Sequence, residues 1–532
     1  MADNSANIDA EVDTETNSRF AERYRCGPMM RWRQGPGREL VHFQLAGVSR
    51  GISSLMASAL DTWTAFFTAD EAAARITQAV PALPPAEVAS TIQVLIESGC
   101  LVARSRIIAG AAHPDSSTSD DGVAWLAVPT ADRASSLNRA LGSYLENANK
   151  SGLRCGILIA DDSRDASHHA ASLEMLSTLE ADPAPSVWYC GPDDKVAFAK
   201  HLAQKGDIPP EAIHFGLFGS GGSALATGAN RNAILLQTLG SMLLSVDDDT
   251  VCDARLAPGT EGGLAMADHF DPAEVWCFSA RPEALSFGAS AQFDVVGEHE
   301  KYLGRPVREI MRRESRWGDA PMCVHLLSSL ASGDAQIRVT YNGARGDSGL
   351  HSDLGQVASR SSATRRRVQD LGDSYRAALD SRQIVRQTAC LTLSHVDSPA
   401  IGMFMGMDNR APLPPFMPNC RNEDGIFASV LARMSDHCYS AHLPFTLAHD
   451  PPGPRFYPPD RDAAAHFGPD RLLPHDVAAR ARRRRSTAPD ECNGPSSLPA
   501  RRPASRGFRR GRKCPDVLAR LFDDRADGGS VG

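Results

Sequence analysis

The chain is expected to be an α/β protein: a mixed sheet flanked by helices, preceded by a small α+β domain, with polar segments at both ends. Three observations predict this. Between Val123 and about residue 460, short apolar runs that stop at a polar residue alternate with helix-length segments. At 532 residues, 42% apolar and 23% charged, the chain can hold more than one globular domain. A polar, small-residue linker at 106–122, centred on "AGAAHPDSSTSDDG", separates the alternating region from a compact segment at 20–105.

Residues 1–19, "MADNSANIDAEVDTETNSR", are polar and acidic, and are expected to be disordered. They have neither the basic patch nor the apolar core of a secretory signal. In the compact segment "ELVHFQL" alternates as a strand does, and "ISSLMASALDTWTAFF" is an apolar helix candidate. Thr68 is placed to cap a helix that carries Asp70 and Glu71 in its first turn. "LPPAEVASTIQVLIESGCLVARS" reads as a helix opening at Pro84 or Pro85 and stopping near Gly99, then a strand. The pattern resembles a winged helix, and more narrowly the peptide-binding modules of pyrroloquinoline quinone and modified-peptide biosynthesis. That resemblance implies capture of a peptide by strand addition at a sheet edge.

The net charge of −8 argues against a nucleic-acid binder over the whole chain. No apolar run approaches the roughly 18 residues that cross a membrane. The 12 cysteines are scattered without a CxxC pair, which fits reduced thiols and a cytoplasmic location. Residues 461–532 are rich in Arg, Pro and Ala, and read as a disordered basic tail without a specific partner.

Five stretches in the alternating region bring chemistry to strand and helix ends. "VAWLAVPTADR" is an apolar strand running into Pro129 and Thr130, with a helix just beyond Arg133. "CGILIADDS" ends in Asp161, Asp162 and Ser163. Open α/β sheets bind ligands outside such carboxyl ends. "GANRNAILLQTL" is a helix whose start carries Asn230, Arg231 and Asn232, and an arginine there can bond a base carbonyl or a diphosphate. "SMLLSVDDD" is a strand delivering Asp247, Asp248 and Asp249, a cluster that is costly to bury unless something positive holds it. In "NEDGIFASVLARM", Glu423 and Asp424 stand at a loop-to-helix junction.

In this order the five stretches resemble the GT-A glycosyltransferases, especially the large family-two group, over residues 122–455. The resemblance implies a metal-dependent enzyme that moves a sugar from a nucleotide-sugar donor to an acceptor, here a peptide or a small metabolite. Asp247 and Asp249 would hold Mn²⁺ or Mg²⁺, with Asp248 near the ribose or the metal. Pro129, Thr130, Arg133, Asp161, Asp162 and Arg231 would line the nucleotide, and Asp424, or else Glu423, would be the general base. His449, about 25 residues after Asp424, would complete the metal site, with His442 as its competitor.

The long span from the aspartates to Glu423 implies an insertion, placed in the loop-like "YNGARGDSGLHSDLGQVASRSSATRRR". Asp408, Asn409 and Arg410 are candidates for an acceptor pocket. Without a QxxRW motif or membrane helices, transfer of single sugars is expected. Two other readings stand beside this one. A nucleotidyltransferase would share the sheet and the carboxylates, but "VPTADR" lacks its phosphate loop. A winged-helix nucleic-acid-binding regulator would use "RWRQGPGR", but no helix is rich enough in Arg or Lys to read bases.

Overall fold

The computed structural model describes residues 22–453, apart from residues 64, 207 and 436 and the segments 111–121, 152–154, 179–185, 221–226, 268–270, 315–323, 333–334, 350–360, 397–399 and 420–421. The disorder predicted for 1–19 and 461–532, and most of the predicted linker, lie outside the described residues.

In the amino-terminal unit, β2 (Met29–Gly35), β3 (Arg38–Phe43) and β4 (Val48–Ser53) form an antiparallel meander, and β1 (Tyr24–Cys26) pairs with β5 (Leu101–Ala103). Helices Ser54–Asp61, Ala69–Ala79 and Pro85–Glu97 pack beneath the meander through Met56, Leu60, Ile76, Val88 and Ile92. The local signals work as expected. Thr68 and Glu71 exchange hydrogen bonds in a capping box, Pro85 opens its helix, and Gly99 takes φ +66 just past that helix's end. The apolar helix is shorter than expected. Ile52 and Ser53 finish β4, and the Ser53 hydroxyl then accepts from Met56 N to start the helix. A groove of about 450 Å³ runs between β4 and helix Pro85–Glu97, lined by Arg38, Arg50, Ile52, Met56, Val94 and Leu95. The start of the predicted linker is instead a helix, Arg104–Gly110. Its Ile107 is buried with Phe66 and Val102 in the core of the large unit.

The large unit is one mixed sheet. Its main path runs β11 (Leu264–Met266), β16 (Leu391–His395), β18 (Cys438–His449), β14 (Gln336–Asp347), β17 (Phe404–Asp408), β9 (Met242–Val246), β6 (Val123–Thr130), β7 (Gly156–Asp161), β8 (Val187–Cys190). Off this path, β10 (Thr250–Leu256) pairs with β18 and with β13 (Ala289–Ser290). β15 (Gln383–Gln387) pairs with β14 and with β12 (Glu274–Phe278). Strands β8, β7, β6 and β9 are mutually parallel, while β17 runs antiparallel beside β9. Both faces are covered, so these strands read as continuous apolar runs. Leu126, Val128, Ile157 and Leu244 share a core with Leu137, Leu141 and Tyr144 of helix Ala134–Ser151. On the other face Ala127, Leu158 and Leu243 meet Ile234 and Leu235 of helix Thr227–Gln237 and Phe427 and Leu431 of helix Glu423–Met434. Among the described residues no helix is long and apolar enough to cross a membrane.

The segment expected as an insertion loop is partly the interior of the sheet. Residues 341–347 are the second half of β14, which pairs in parallel with β18 and antiparallel with β15. Its Asn342 and Arg345 side chains are buried with partners, while the Tyr341 hydroxyl is buried without one among the described residues. Asn342 Oδ1 lies 3.1 Å from His299 Nε2, and Arg345 donates to the carbonyls of Leu285 and Asp253.

Helix Thr227–Gln237 is fixed to the loop before helix Glu423–Met434. Asn232 Nδ2 donates to Gly216 O at 2.8 Å and Phe416 O at 2.9 Å, while its Oδ1 accepts from Phe416 N at 2.7 Å. A Cβ on Gly228 would lie 2.0 Å from the Met417 carbonyl oxygen. Asn232→Ala strands three buried backbone groups and should lower stability by about 3 kcal/mol in urea unfolding. A loss below about 1 kcal/mol would show that water replaces these bonds.

Candidate functional site

The chain runs outward from β6 through β7 to β8, then returns to place β9 on the other side of β6. The strand order therefore reverses between β6 and β9. The crevice outside their carboxyl ends is where such sheets bind ligands. Thr130 ends β6, Asp161 ends β7 and pairs in register with Thr130, and Asp247 follows β9.

A tight turn joins β9 to β10 and holds the three aspartates. Thr250 N and Thr250 Oγ1 both donate to the Asp247 carbonyl, at 3.2 and 2.7 Å. Asp248 and Asp249 are buried, and Thr130 Oγ1 donates to Asp248 Oδ2 at 2.7 Å, closing the reversal point directly. Burial first, then the charge of Asp249, push the Asp248 carboxyl up to about 6 against the pull of Arg133 and Thr130.

Two arginines face the cluster. Arg133 Nη1 lies 3.0 Å from both Asp248 Oδ1 and Asp249 Oδ2, with 42% of the side chain exposed. Arg231 is fully enclosed. It donates to Asp247 Oδ1 at 2.6 Å and to Ser245 Oγ at 3.3 Å, and its Nε stands 3.7 Å from Glu423 Oε1. That Nε has no hydrogen-bond partner among the described residues. Burial disfavours the Arg231 charge, but Asp247, Glu423 and Asp424 outweigh burial and hold the guanidinium above its ordinary value.

Glu423 and Asp424 open their helix after Asn422, which has a left-handed φ of +67. The two carboxylates are held differently. Asp424 accepts from Gly402 N at 2.7 Å and from Gly425 N at 2.8 Å, one bond to each oxygen. Glu423 meets Arg231. Burial and then the Asp424 charge push it up to about 7, with Arg231 acting the other way.

His449 ends β18 opposite Thr250, at the start of β10. Its Nδ1 is 2.5 Å from the Asp347 carbonyl, which can only accept, so Nδ1 carries a hydrogen. Its Nε2 therefore faces Asp249 Oδ1 at 3.2 Å either with a second proton or as a lone pair against a carboxylate. A cation between them would relieve that meeting. His442 is not part of this edge. It is buried next to Ser394 Oγ at 2.9 Å, and burial pushes it down to about 3, so it is a neutral core residue.

The sequence-predicted residues thus separate into groups. Thr130, Arg133, Arg231, Asp247, Asp248, Asp249, Glu423 and His449 are linked by hydrogen bonds or ion pairs at one sheet edge. Pro129 lies inside β6 opposite Ala160. Asp161 is buried, accepting from Tyr189 Oη at 2.5 Å and Ser163 N at 2.7 Å. Asp162 pairs with the enclosed ammonium of Lys195. Asn230 and Asn232 brace backbone. Asn230 Nδ2 bonds the carbonyls of Ala160 and Thr130, and so ties β6 to β7. Tyr189, Lys195 and the Gly402 amide were not anticipated, and nothing in their local sequence marks them.

Asp408, Asn409 and Arg410 require correction as acceptor-pocket candidates. Because β17 runs antiparallel to β9, Asp408 pairs with Met242, at the end of β9 opposite the aspartates. There Arg410 forms a two-point ion pair with Asp408 at 2.8 and 3.0 Å, and Asn409 Nδ2 bonds Leu235 O.

No protein-family model matches the chain, and no curated protein matches it. The fold and site therefore stand on their own geometry. Among the described residues no three His, Cys, Asp or Glu side chains already converge as a metal-binding group.

The raised Asp248 carboxyl has a consequence for stability. Its contribution is fully present below its ordinary value of 3.8 and is lost as pH rises through about 6. Asp248→Asn removes that loss. Between about pH 4 and about pH 7, without added metal, the variant's unfolding free energy should gain up to about 2 kcal/mol relative to wild type. A pH-independent difference would mean that Asp248 titrates normally.

Proposed function

We propose that the protein is a metal-dependent glycosyltransferase of GT-A type that uses a nucleotide sugar. One observation carries the reading. At the strand-order reversal, five carboxyl groups (Asp247, Asp248, Asp249, Glu423 and Asp424) stand around two guanidinium groups, and two of these carboxyls are raised by burial and mutual repulsion. A site so short of positive charge suits a hard divalent cation and the diphosphate it would bring. The parallel order β8–β7–β6–β9 and the helix starts at Thr227 and Glu423 support the same assignment.

In this reading Asp247, Asp249 and His449 would hold Mn²⁺ or Mg²⁺, and the oxygens of the aspartates and the His449 Nε2 fit a hard to borderline cation. Once bound, the ion would act as a Lewis acid on the leaving diphosphate. Thr130 fixes Asp248, and Arg231 fixes Asp247 relative to Glu423. The base assignment moves from Asp424 to Glu423. Both Asp424 oxygens are engaged by backbone amides, which tie that carboxylate to the loop at Gly402. Glu423 titrates near neutral pH, where a general base works best. It would take the proton of the acceptor hydroxyl as that oxygen bonds the anomeric carbon and the bond from sugar to diphosphate breaks.

Acceptor recruitment falls to the amino-terminal unit. The outer edge of β4 has no strand partner among the described residues and runs beside the groove under Val94, so an extended peptide could be added there.

Calorimetry with Mn²⁺ and nucleoside diphosphates tests the site. Asp247→Asn and Asp249→Asn should each weaken metal-dependent nucleotide binding about tenfold or more while the fold is kept. Wild-type binding in both variants would remove the metal assignment.

Turnover tests the base. Glu423→Gln should lower it roughly 100- to 10,000-fold with donor affinity nearly unchanged, and wild-type turnover should rise with pH through about 7. If Asp424→Asn instead shows the larger loss of rate at unchanged stability, the base is Asp424.

A further inference from the structure

Arg133 and Arg231 neutralise the same aspartate turn in different ways. Arg231 is 2% exposed and is held by three groups from two elements, so it has nowhere to go. Arg133 uses one nitrogen. Its Nη1 sits between Asp248 Oδ1 and Asp249 Oδ2 at 3.0 Å from each, and its Nε and Nη2 bond nothing among the described residues. One positive atom thus serves two carboxylates of adjacent residues.

The backbone under Arg133 is anchored independently of that contact. Asp132 takes a left-handed φ of +55. Its amide donates to Ser163 Oγ at 2.8 Å, and its carboxylate accepts from Arg164 N at 2.9 Å and Asp165 N at 3.2 Å. Helix Ala134–Ser151 starts immediately afterwards, and Leu137 N bonds the Arg133 carbonyl. The side chain can therefore rotate about its own bonds without disturbing the loop.

We propose that Arg133 is an internal stand-in for the metal: its guanidinium neutralises Asp249, and Asp248 beside it, until a divalent cation at Asp249 displaces it, and it then turns to bind the diphosphate that accompanies the cation. This rests on the metal-dependent reading above. Three observations carry it. Arg133 is the exposed member of the two cations. It bridges with one atom. His449, whose Nδ1 is committed to Asp347 O, presents Nε2 to the Asp249 oxygen not bonded by Arg133. Without the stand-in, two adjacent buried carboxylates would lose the positive group they share. Arg133 is a positioning residue for an empty site and a ligand contact in a filled one.

The two roles give opposite signs in one experiment. Mn²⁺ binding to the full chain is measured by calorimetry, first alone and then with a nucleoside diphosphate present. In Arg133→Ala, Mn²⁺ alone should bind roughly five- to tenfold tighter, because the competing contact of the part-exposed Arg133 is gone. The diphosphate, in saturating Mn²⁺, should bind roughly tenfold or more weaker, because a charge-assisted contact is gone. Arg133→Lys, a point charge without the fork, should fall between wild type and Arg133→Ala in both measurements, and guards against misfolding of the alanine variant. A residue that merely props up the turn would weaken both ligands together, and that result overturns the proposal. Unchanged Mn²⁺ affinity overturns it too, as does tighter Mn²⁺ with unaltered diphosphate binding. All three leave the metal-dependent reading intact. If neither protein binds Mn²⁺ or Mg²⁺, with or without nucleotide, the reading itself fails, and the role of Arg133 fails with it.

Discussion

The aspartate turn between β9 and β10 is an unbalanced charge held at the point where the strand order reverses, and the surrounding structure is arranged to tolerate it. Three successive carboxylates repel one another, and two of them are buried. They survive because Thr130 donates from the neighbouring strand, Arg133 approaches from the loop beyond it, and Arg231 is brought up by a helix on the far face. None of these three can act unless β6, β9 and helix Thr227–Gln237 are in place. Hence Asn230 and Asn232 are spent on backbone. One ties β6 to β7, and the other locks the helix to the loop at Phe416. The ligand-like motif "ANRN" is two braces around one buried cation.

The strand and helix ends of this site were legible because parallel strands covered on both faces are written as uninterrupted apolar runs. "AWLAV", "GILIA" and "MLLSV" can end only where the chain leaves the sheet, and the next residues must face the crevice. The same rule failed at β14. "YNGARGD" carries turn residues and charges, yet it crosses the sheet interior. The asparagine and arginine are satisfied by distant partners that no local pattern announces. The glycine serves close packing, since a Cβ on Gly343 would lie 2.2 Å from the Arg386 carbonyl oxygen. Strand direction was equally hidden. Asp408 looks like another carboxylate at a strand end, and only the antiparallel course of β17 puts it at the wrong edge.

Sequence also cannot tell what holds a carboxylate. Asp161, Asp162 and Asp424 have the same chemistry as Asp247 and Glu423. Tyr189, Lys195 and the amides of Gly402 and Gly425 hold the first three, while the guanidinium of Arg231 lies against the other two. A motif therefore marks the neighbourhood, and only the fold shows which partners each oxygen has.

The pair at 423 and 424 shows how far apart neighbouring residues can be driven. Asp424 bonds the backbone N–H groups of Gly402 and Gly425 at a helix start. Burial is the largest cause of the rise of Glu423 to about 7, and the Asp424 charge is the second. The neighbour in sequence thus adds to what burial does. Arg231 opposes that rise and reaches Asp247 with its other end, so a change of charge at the aspartate turn is felt at Glu423 through one buried guanidinium. A positive charge arriving at Asp247 would offset that carboxylate's own raising effect on Glu423, and so lower the proton affinity of Glu423 through the field alone, with no movement of Arg231 required.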